Sequence, residues 1–224
     1  WRTMGTYKAQ FISMIIMIAL GIGIFIGFNI EWYSLEKNTD SFLRETNFAD
    51  YRIVSESGFS ADDVQNVLSV DGVKASSRFI SVNADVKERD GDSVALTVTE
   101  NPDVSSFITV DGDGYDPDST DGIWVSKKYA DANGIAVGDT LTFVYRNAEI
   151  TGKVRGLIRA GEYLICVRDE TQLMPDPDTY GFAYISPAMM KDALGFEFYP
   201  QINVISDTEK KDFCERIDSA FGKT

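Results

Sequence analysis

The sequence predicts an α+β protein in which one N-terminal membrane helix precedes a water-exposed domain of short helices and strands. Two observations predict this class. Residues 11–30 form an uncharged apolar run, and strand-like segments alternate with amphipathic helical segments after residue 48. The charged residues are concentrated after the run. The two parts therefore need different surroundings, lipid for the helix and water for the domain.

The apolar run of residues 11–30 is long enough to cross a membrane. At about 1.5 Å per residue, a helix of this length spans about 30 Å, the thickness of the hydrocarbon core of a bilayer. Arg2 and Lys8 precede the run, whereas Glu31 and Glu36 follow it. The positive-inside rule therefore places the N-terminus in the cytoplasm and the remaining chain outside.

A cleavable signal peptide is the alternative interpretation of the same run. Its apolar region would be about 7–15 residues long and would end in a small-x-small cleavage site. Here the run is longer and is followed by Glu31-Trp32-Tyr33, so a retained anchor is favoured. The sequence begins at Trp1 and ends at Thr224 without a stop-transfer segment, and we expect it to be a piece of a longer chain.

Charge and composition exclude several classes of function. Without Arg2 and Lys8, 19 of the 21 basic residues remain against all 35 acidic residues, which gives the part after the anchor a formal charge of −16. Nucleic acid is therefore not an expected partner, and we expect the domain to stand away from anionic lipid headgroups. The sequence has no histidine and no GxxxxGK[ST] phosphate loop. We predict no enzyme activity, catalytic residue, cofactor or metal.

An acidic loop is the strongest candidate for a metal site. Asp111, Asp113, Asp116 and Asp118 are spaced as Ca²⁺ ligands can be, but the EF-hand pattern fails because Gly122 stands where its twelfth residue, Glu, belongs. A solvated acidic turn is therefore the favoured interpretation.

Other reactive side chains are interpreted as structural. Glu162 and the neighbouring pair Asp169 and Glu170 are read as a charged loop, because no cleft or second constellation accompanies them. Cys166 and Cys214 could form a disulfide, although two buried small side chains is the favoured reading.

The membrane helix is expected to continue beyond the bilayer as a stalk. Trp32, Leu35, Thr39 and Phe42 recur at three- and four-residue spacing, which is the narrow apolar stripe a helix needs to pack on a neighbour. The alternative is a helix that ends near Asn38. We name Trp32, Leu35 and Phe42 as candidate interaction residues.

Two glycines in the outer half of the membrane run are candidates for helix packing. Gly23 and Gly27 form a small-x-x-x-small pattern, which lets membrane helices approach closely. Glycine is frequent in membrane helices, so this pattern alone is a weak signal of dimerisation.

The remaining sequence predicts an α+β start, a β-rich middle and an α+β end. Ser60 and the acidic residues after it suit a helix start, Asp-Gly and Asp-Pro pairs mark turns in residues 101–122, and Gly134 suits a helix end. The predicted strands are 50–55, 73–87, 94–99, 123–125, 140–145, 149–158, 163–168, 181–185 and 201–206, and the predicted helices are 61–69, 126–133, 186–194 and 207–221.

With these elements in place, the chain resembles the FtsX-like, MacB-like permease family of ABC transporters. The resemblance rests on residues 20–23 (LGIG) in the anchor, 124–130 (WVSKKYA), 133–141 (NGIAVGDTL), 153–157 (KVRGL) and 184–187 (YISP). Physically, Gly138 turns the chain into a strand and Gly156 relieves crowding, so these motifs are structural.

The resemblance implies a permease subunit. Its partners would be a cytoplasmic ABC ATPase, a second permease copy or paralogue, and membrane lipid. The stalk would transmit ATP-driven movement to the outer domain for export or extracellular mechanical work. In the implied organisation, residues 1–10 lie in the cytoplasm, residues 11–30 form the membrane helix and residues 31–48 form the stalk. Residues 49–101 form the first half of a porter-like α+β subdomain, and residues 179–224 form its second half. Residues 102–178 form a mainly-β subdomain inserted between the two halves.

Two other classes remain open from the sequence. A membrane-anchored sensor domain of a signal-transduction receptor would need a concave ligand pocket and a cytoplasmic signalling module after Thr224. An adhesin or structural protein held by an uncleaved anchor would need no further membrane span.

Overall fold

The computed structural model describes residues 7–169, 171–195 and 197–221. The chain divides into two compact units, Trp1–Arg44 and Glu45–Thr224. The described part of the first unit contains one unbroken helix, α1 (Lys8–Glu45), which extends through Asn38 to the start of the second unit. None of its residues is buried, and it is long and apolar enough to cross a membrane. The alternative prediction, a helix that ends near Asn38, is therefore wrong.

The second unit is built from nine strands and four helices in the described residues, with one 3-10 turn at Gly161–Tyr163. The mixture of strands and helices agrees with the predicted α+β class. In chain order the elements are β1 (Tyr51–Val54), α2 (Ala61–Leu68), β2 (Val73–Val86), β3 (Ser93–Thr99), β4 (Phe107–Gly112), β5 (Gly122–Ser126), α3 (Lys127–Asn133), β6 (Thr140–Tyr145), β7 (Ala148–Ala160), β8 (Tyr180–Ile185), α4 (Pro187–Leu194), β9 (Gln201–Ser206) and α5 (Lys210–Phe221).

The nine strands form one sheet in the order β1-β9-β2-β3-β8-β5-β7-β4. Strand β6 pairs with both β7 and β2, so the strands β2, β3, β8, β5, β7 and β6 close into a ring of six. Most neighbours in the ring are antiparallel, and the pairs β3–β8 and β5–β7 are parallel. Closure leaves the free sheet edges outside the ring, at β1 and β4.

Three apolar clusters fill the domain. The largest contains side chains from all six ring strands, together with Tyr129 of α3 and Met189 of α4. The second is aromatic and centres on Trp124, Phe182 and Tyr184. The third packs α2 and α5 on β9 through the buried residues Val67, Val70, Ile202, Val204, Phe213 and Ile217. These buried side chains supply the hydrophobic free energy that holds the unit together.

The helix ends of the domain follow local sequence chemistry. Ser60 accepts a hydrogen bond from the Asp63 amide, and the Asp63 carboxylate accepts one in return from the Ser60 amide, which completes a capping box. Gly134 takes a left-handed conformation with φ 66°, as expected for a helix-ending glycine. Ser186 likewise caps α4 through the Met189 amide.

The prediction of a strand at residues 163–168 is wrong. This segment leaves the 3-10 turn and lies as a strap over the aromatic cluster instead of pairing with a strand. The Tyr163 ring stacks on Phe182 with 4.4 Å between ring centres, and its hydroxyl hydrogen-bonds to Thr97 and Ser81. We call residues 161–168 the strap. Tyr163 and Cys166 of the strap pack on the aromatic cluster, whereas Leu164 and Ile165 are exposed.

The predicted irregular segment 101–122 contains a strand that the turn signals concealed. Strand β4 pairs with β7 across an irregularity between Thr109 and Asp111. At Gly112, φ is 84° and an added Cβ would lie 2.2 Å from the Arg155 carbonyl oxygen, so only glycine fits there. The Asp-Gly pair therefore marks the irregular end of an edge strand.

The acidic loop after β4 is held by aromatic side chains. The Tyr115 hydroxyl donates to the carbonyl oxygens of Thr99 and Ile185, and Trp124 Nε1 donates to those of Asp113 and Gly114. No three carboxylate, cysteine or histidine side chains come together as a metal site among the residues that the structure describes.

The two cysteines differ in their surroundings. Both are free thiols; Cys166 is half-buried in the strap and Cys214 is exposed on α5. The interpretation of both as buried side chains is therefore wrong for Cys214, which occupies the outward face of an amphipathic helix.

Candidate functional site

The candidate residues on α1 are arranged along an exposed helix. Trp32 and Leu35 are 70% and 59% exposed, and Phe42 is partly buried. Around Gly23 and Gly27 no atom lies within 4 Å of an added Cβ, so this side of the helix is open in the described chain. We call Trp32, Leu35, Thr39 and Phe42 the stalk stripe.

The stalk stripe and the two glycines lie on different sides of α1. Because the helix is unbroken, each residue advances by about 100° around its axis. The middle of the stalk stripe then lies about 120° from the middle of Gly23 and Gly27. One straight partner helix cannot contact both sides, so the two candidate surfaces require separate neighbours.

The residues that directly follow α1 are held to the rest of the domain by burial and backbone hydrogen bonds. Thr46 and Ala49 are buried, and the Thr46 and Asn47 carbonyl oxygens accept hydrogen bonds of 2.8 and 2.9 Å from the amides of Ser106 and Ser105. We call residues 46–50 the junction segment. Backbone hydrogen bonds of this kind distinguish it from a flexible linker, whose backbone groups bond to water.

The last residue of the junction segment joins the sheet. The Asp50 amide donates to the Val204 carbonyl oxygen, and the Asp50 carboxylate accepts from the Ser206 amide, both at 2.9 Å. Strand β1 then continues along β9. The junction segment is therefore hydrogen-bonded directly to the backbone of β9.

A buried polar network lies beside the junction segment. Asn203, which is fully buried in β9, donates to the Ser105 hydroxyl at 2.7 Å and to Glu162 at 3.4 Å. Arg52, whose side chain is 46% exposed, forms an ion pair with Glu162, whose side chain is 5% exposed. We call Arg52, Ser105, Glu162 and Asn203 the junction network. It joins β1, the loop before β4, the strap and β9 at one point.

Aromatic side chains surround the junction network. The Arg52 guanidinium lies 5.6 Å from the centre of the Phe48 ring, close enough for a cation–π contact. Burial raises the pKa values of Tyr163 and Tyr184 well above their usual range, so both remain neutral hydroxyls. The Tyr184 hydroxyl is buried and has no hydrogen-bond partner among the described residues. The network thus contains one ion pair and is flanked by neutral tyrosine side chains.

The interpretation of Glu162 as part of a charged loop is wrong, because its carboxylate is almost fully buried. The sequence places it after a glycine and beside Tyr163, which gives no sign of burial. Asp169 is exposed and bonds locally to Thr171, and Glu170 lies outside the described residues. The carboxylate of Glu162 instead faces Arg52, a residue 110 positions away in the chain.

The junction network escaped sequence analysis because its members are scattered over the chain. The one available signal was Asn203, a polar residue between the apolar residues Ile202 and Val204 of a strand. A buried amide needs partners, so its presence indicated a polar network near that strand. The identity of those partners depends on the loop before β4 and on the strap, which the sequence analysis incorrectly predicted to be a strand.

Comparisons with known proteins show which fold this is. No family model and no curated protein matches the sequence. Among solved structures, the extracellular domain of the noncanonic ABC-type transporter YknZ from Gram-positive bacteria is similar with a TM-score of 0.55 and 14% identity, over 77% of this chain and 94% of that one.

A second structure is more distant. The periplasmic region of MacB from Actinobacillus actinomycetemcomitans has a TM-score of 0.48 and 11% identity, over 77% of this chain and 83% of that one. The chain therefore shares its fold with the extracellular domain of an ABC-type transporter, YknZ.

Proposed function

We propose that the chain is a permease subunit of an ABC transporter, of the FtsX-like, MacB-like kind. The observation that carries the proposal is the fold shared with the extracellular domain of YknZ, together with an apolar helix directly before that domain. In this proposal residues 1–10 lie in the cytoplasm, α1 crosses the membrane, and the α+β unit lies outside. The partners are a cytoplasmic ATPase, membrane lipid and a second permease copy or paralogue.

The proposed mechanism uses the junction segment as a mechanical connection. ATP hydrolysis occurs on the partner subunit, and movement of the stalk reaches the outer domain through residues 46–50. Because these residues are hydrogen-bonded to the loop before β4 and to β9, movement of the helix end displaces strands of the domain and is not absorbed by a loose linker. The chain itself performs no chemistry in this mechanism.

The proposed division of the outer unit is supported by the third cluster, whereas the first two clusters contain side chains from both sides of its boundaries. The α2–β9–α5 cluster combines the first and last thirds of the chain, as expected for an α+β subdomain split by an insertion. The β-rich middle, residues 102–178, would be that insertion, although its strands belong to the same sheet. These boundaries are part of the proposal.

Co-purification tests the proposal. We would isolate the full-length protein from native membranes in mild detergent and identify associated proteins by mass spectrometry. Recovery of an ABC-type ATPase in amounts comparable to the protein is the expected result. Repeated absence of such an ATPase, with a kinase or chemotaxis domain on the same chain, would contradict it and support the receptor alternative.

A further inference from the structure

The charges beside the stalk stripe are arranged asymmetrically. With about 100° per residue, Glu31 and Glu36 lie about 60° and 80° to either side of the middle of the stripe. Lys37 lies about 180° away, on the opposite side of the helix. All three side chains are exposed. The exposed apolar pair Trp32 and Leu35 is therefore bordered by acid on both sides.

This arrangement disfavours pairing between the stripes of two copies. Two copies inserted in the same membrane run parallel, and in a heptad with Trp32 at position a and Leu35 at position d, Glu31 is at g and Glu36 at e. The g residue of one helix faces the following e residue of the other. Glu31 would then face Glu36 of the second copy on both sides of the seam. Like charges in such positions oppose association.

We propose that the stalk stripe is covered by a helix of different sequence, which carries lysine or arginine on both sides of its own apolar stripe. Such a helix would place opposite charges against Glu31 and Glu36 while its apolar side chains cover Trp32 and Leu35. This inference rests on the proposed function in one respect, namely that residues 31–45 form a stalk outside the membrane. It deepens that function by specifying a partner of complementary charge and excluding the same stripe of a second copy.

Disulfide formation with synthetic helices tests the proposal. The chain would carry Leu35→Cys, with Cys166→Ser and Cys214→Ser to remove its own thiols, and would be reconstituted in lipid nanodiscs. The probe is a 21-residue helix with Leu at a and d, Lys at e and g, and one Cys at a central d position. A matched probe has Glu at e and g. The yield of mixed disulfide is measured under identical oxidising conditions.

The Lys-flanked probe is expected to give about two- to fivefold more mixed disulfide than the Glu-flanked probe, and more than the disulfide between two copies of the chain. Reversing the border with Glu31→Lys and Glu36→Lys should reverse the preference between the probes. This exchange separates a specific contact from simple attraction of a basic peptide to an acidic chain.

A control variant with the same change in net charge, Asp40→Lys with Asp212→Lys, should keep the preference, because Asp40 lies about 120° from the stripe and Asp212 is on α5. Equal yields with both probes, reversal by the control variant, or a predominant disulfide between two copies would overturn the proposal. The ATPase co-purification does not depend on these yields, so the two proposals can fail separately.

Discussion

The helix α1 and the domain that follows it differ in what stabilises them. None of the residues of α1 is buried, and Phe25, Phe28 and Trp32 are about as exposed as side chains on a helix can be. In the domain, Trp124, Tyr129 and many other large side chains are almost completely buried. The domain therefore carries its own core, whereas α1 depends on its surroundings.

This difference indicates how each of the two regions responds to its surroundings. A single membrane helix without buried residues is stabilised by lipid and by neighbouring helices, so its position responds to changes in those neighbours. A closed ring of strands around a packed core resists deformation and moves as a body. The junction segment is where the exposed helix gives way to the packed domain, and in the proposed mechanism it is the point at which movement is transferred.

The largest expected effect comes from comparing a substitution in the core of the domain with one on the exposed helix α1. Trp124→Ala removes a side chain that is 1% exposed, and also two hydrogen bonds donated by its indole nitrogen. We expect the free energy of unfolding of the domain to fall by about 3–5 kcal/mol in urea titration followed by near-UV circular dichroism. The matched variant Phe25→Ala, 70% exposed on α1, should leave this value unchanged. A similar loss of unfolding free energy in both variants would contradict the inferred difference between the domain and α1.

The next effect concerns the junction network. Arg52→Ala leaves the Glu162 carboxylate, 5% exposed, without its cation, and we expect a loss of about 1–3 kcal/mol in the same titration. As a control, Arg155→Ala breaks an ion pair with Asp121 in which both side chains are more than 40% exposed. Exposed pairs contribute about 0–1 kcal/mol. A larger loss for Arg155→Ala would show that burial does not set the strength of the network.

Thiol reactivity tests whether the strap is packed as part of the domain. Burial raises the pKa of Cys166 to about 11, so little reactive thiolate is present at pH 8, and its fraction grows about tenfold per pH unit above that. We expect N-ethylmaleimide to modify the exposed Cys214 at least about tenfold faster than Cys166 at pH 8. The variant Cys214→Ser should lose the fast phase. Equal rates would mean that the strap is open.

The smallest expected effect comes from removing the helix. Because the first compact unit ends at Arg44, deletion of residues 1–44 should change the free energy of unfolding of the domain by no more than about 1 kcal/mol. Both proteins would be compared by urea titration in one detergent buffer. Deletion of residues 1–54 additionally removes the junction segment and β1, and should be clearly destabilising. A domain that fails to fold after the shorter deletion would show that its core is not independent.

The elements with strong local signals were predictable from the sequence. The uncharged run predicted α1, and Ser60, Gly134 and Ser186 marked helix ends that the structure confirms at those residues. Strand runs such as 73–87 and 201–206 differ from the observed bounds by one residue at most. These features depend on interactions between near neighbours in the chain.

The features that sequence analysis missed depend on distant partners. Strap residues such as Tyr163 and Cys166 are apolar because they cover a sheet face, and the periodicity of a strand does not distinguish covering from pairing. Closure of the ring requires β6 to reach β2 through the pairs of Asp85 and Val86, which no local pattern encodes. The junction network likewise joins Arg52 to Glu162 across the domain.

Amide hydrogen exchange tests the central claim most directly. The full-length protein would be measured by mass spectrometry in complex with its ATPase, with and without ATP, alongside the Arg52→Ala variant. We predict that ATP changes the exchange of residues 46–50, 104–106 and 201–206 together, and that Arg52→Ala reduces the change in the last two segments. An ATP response that stays within α1, or none in these three segments, would contradict transmission through the junction.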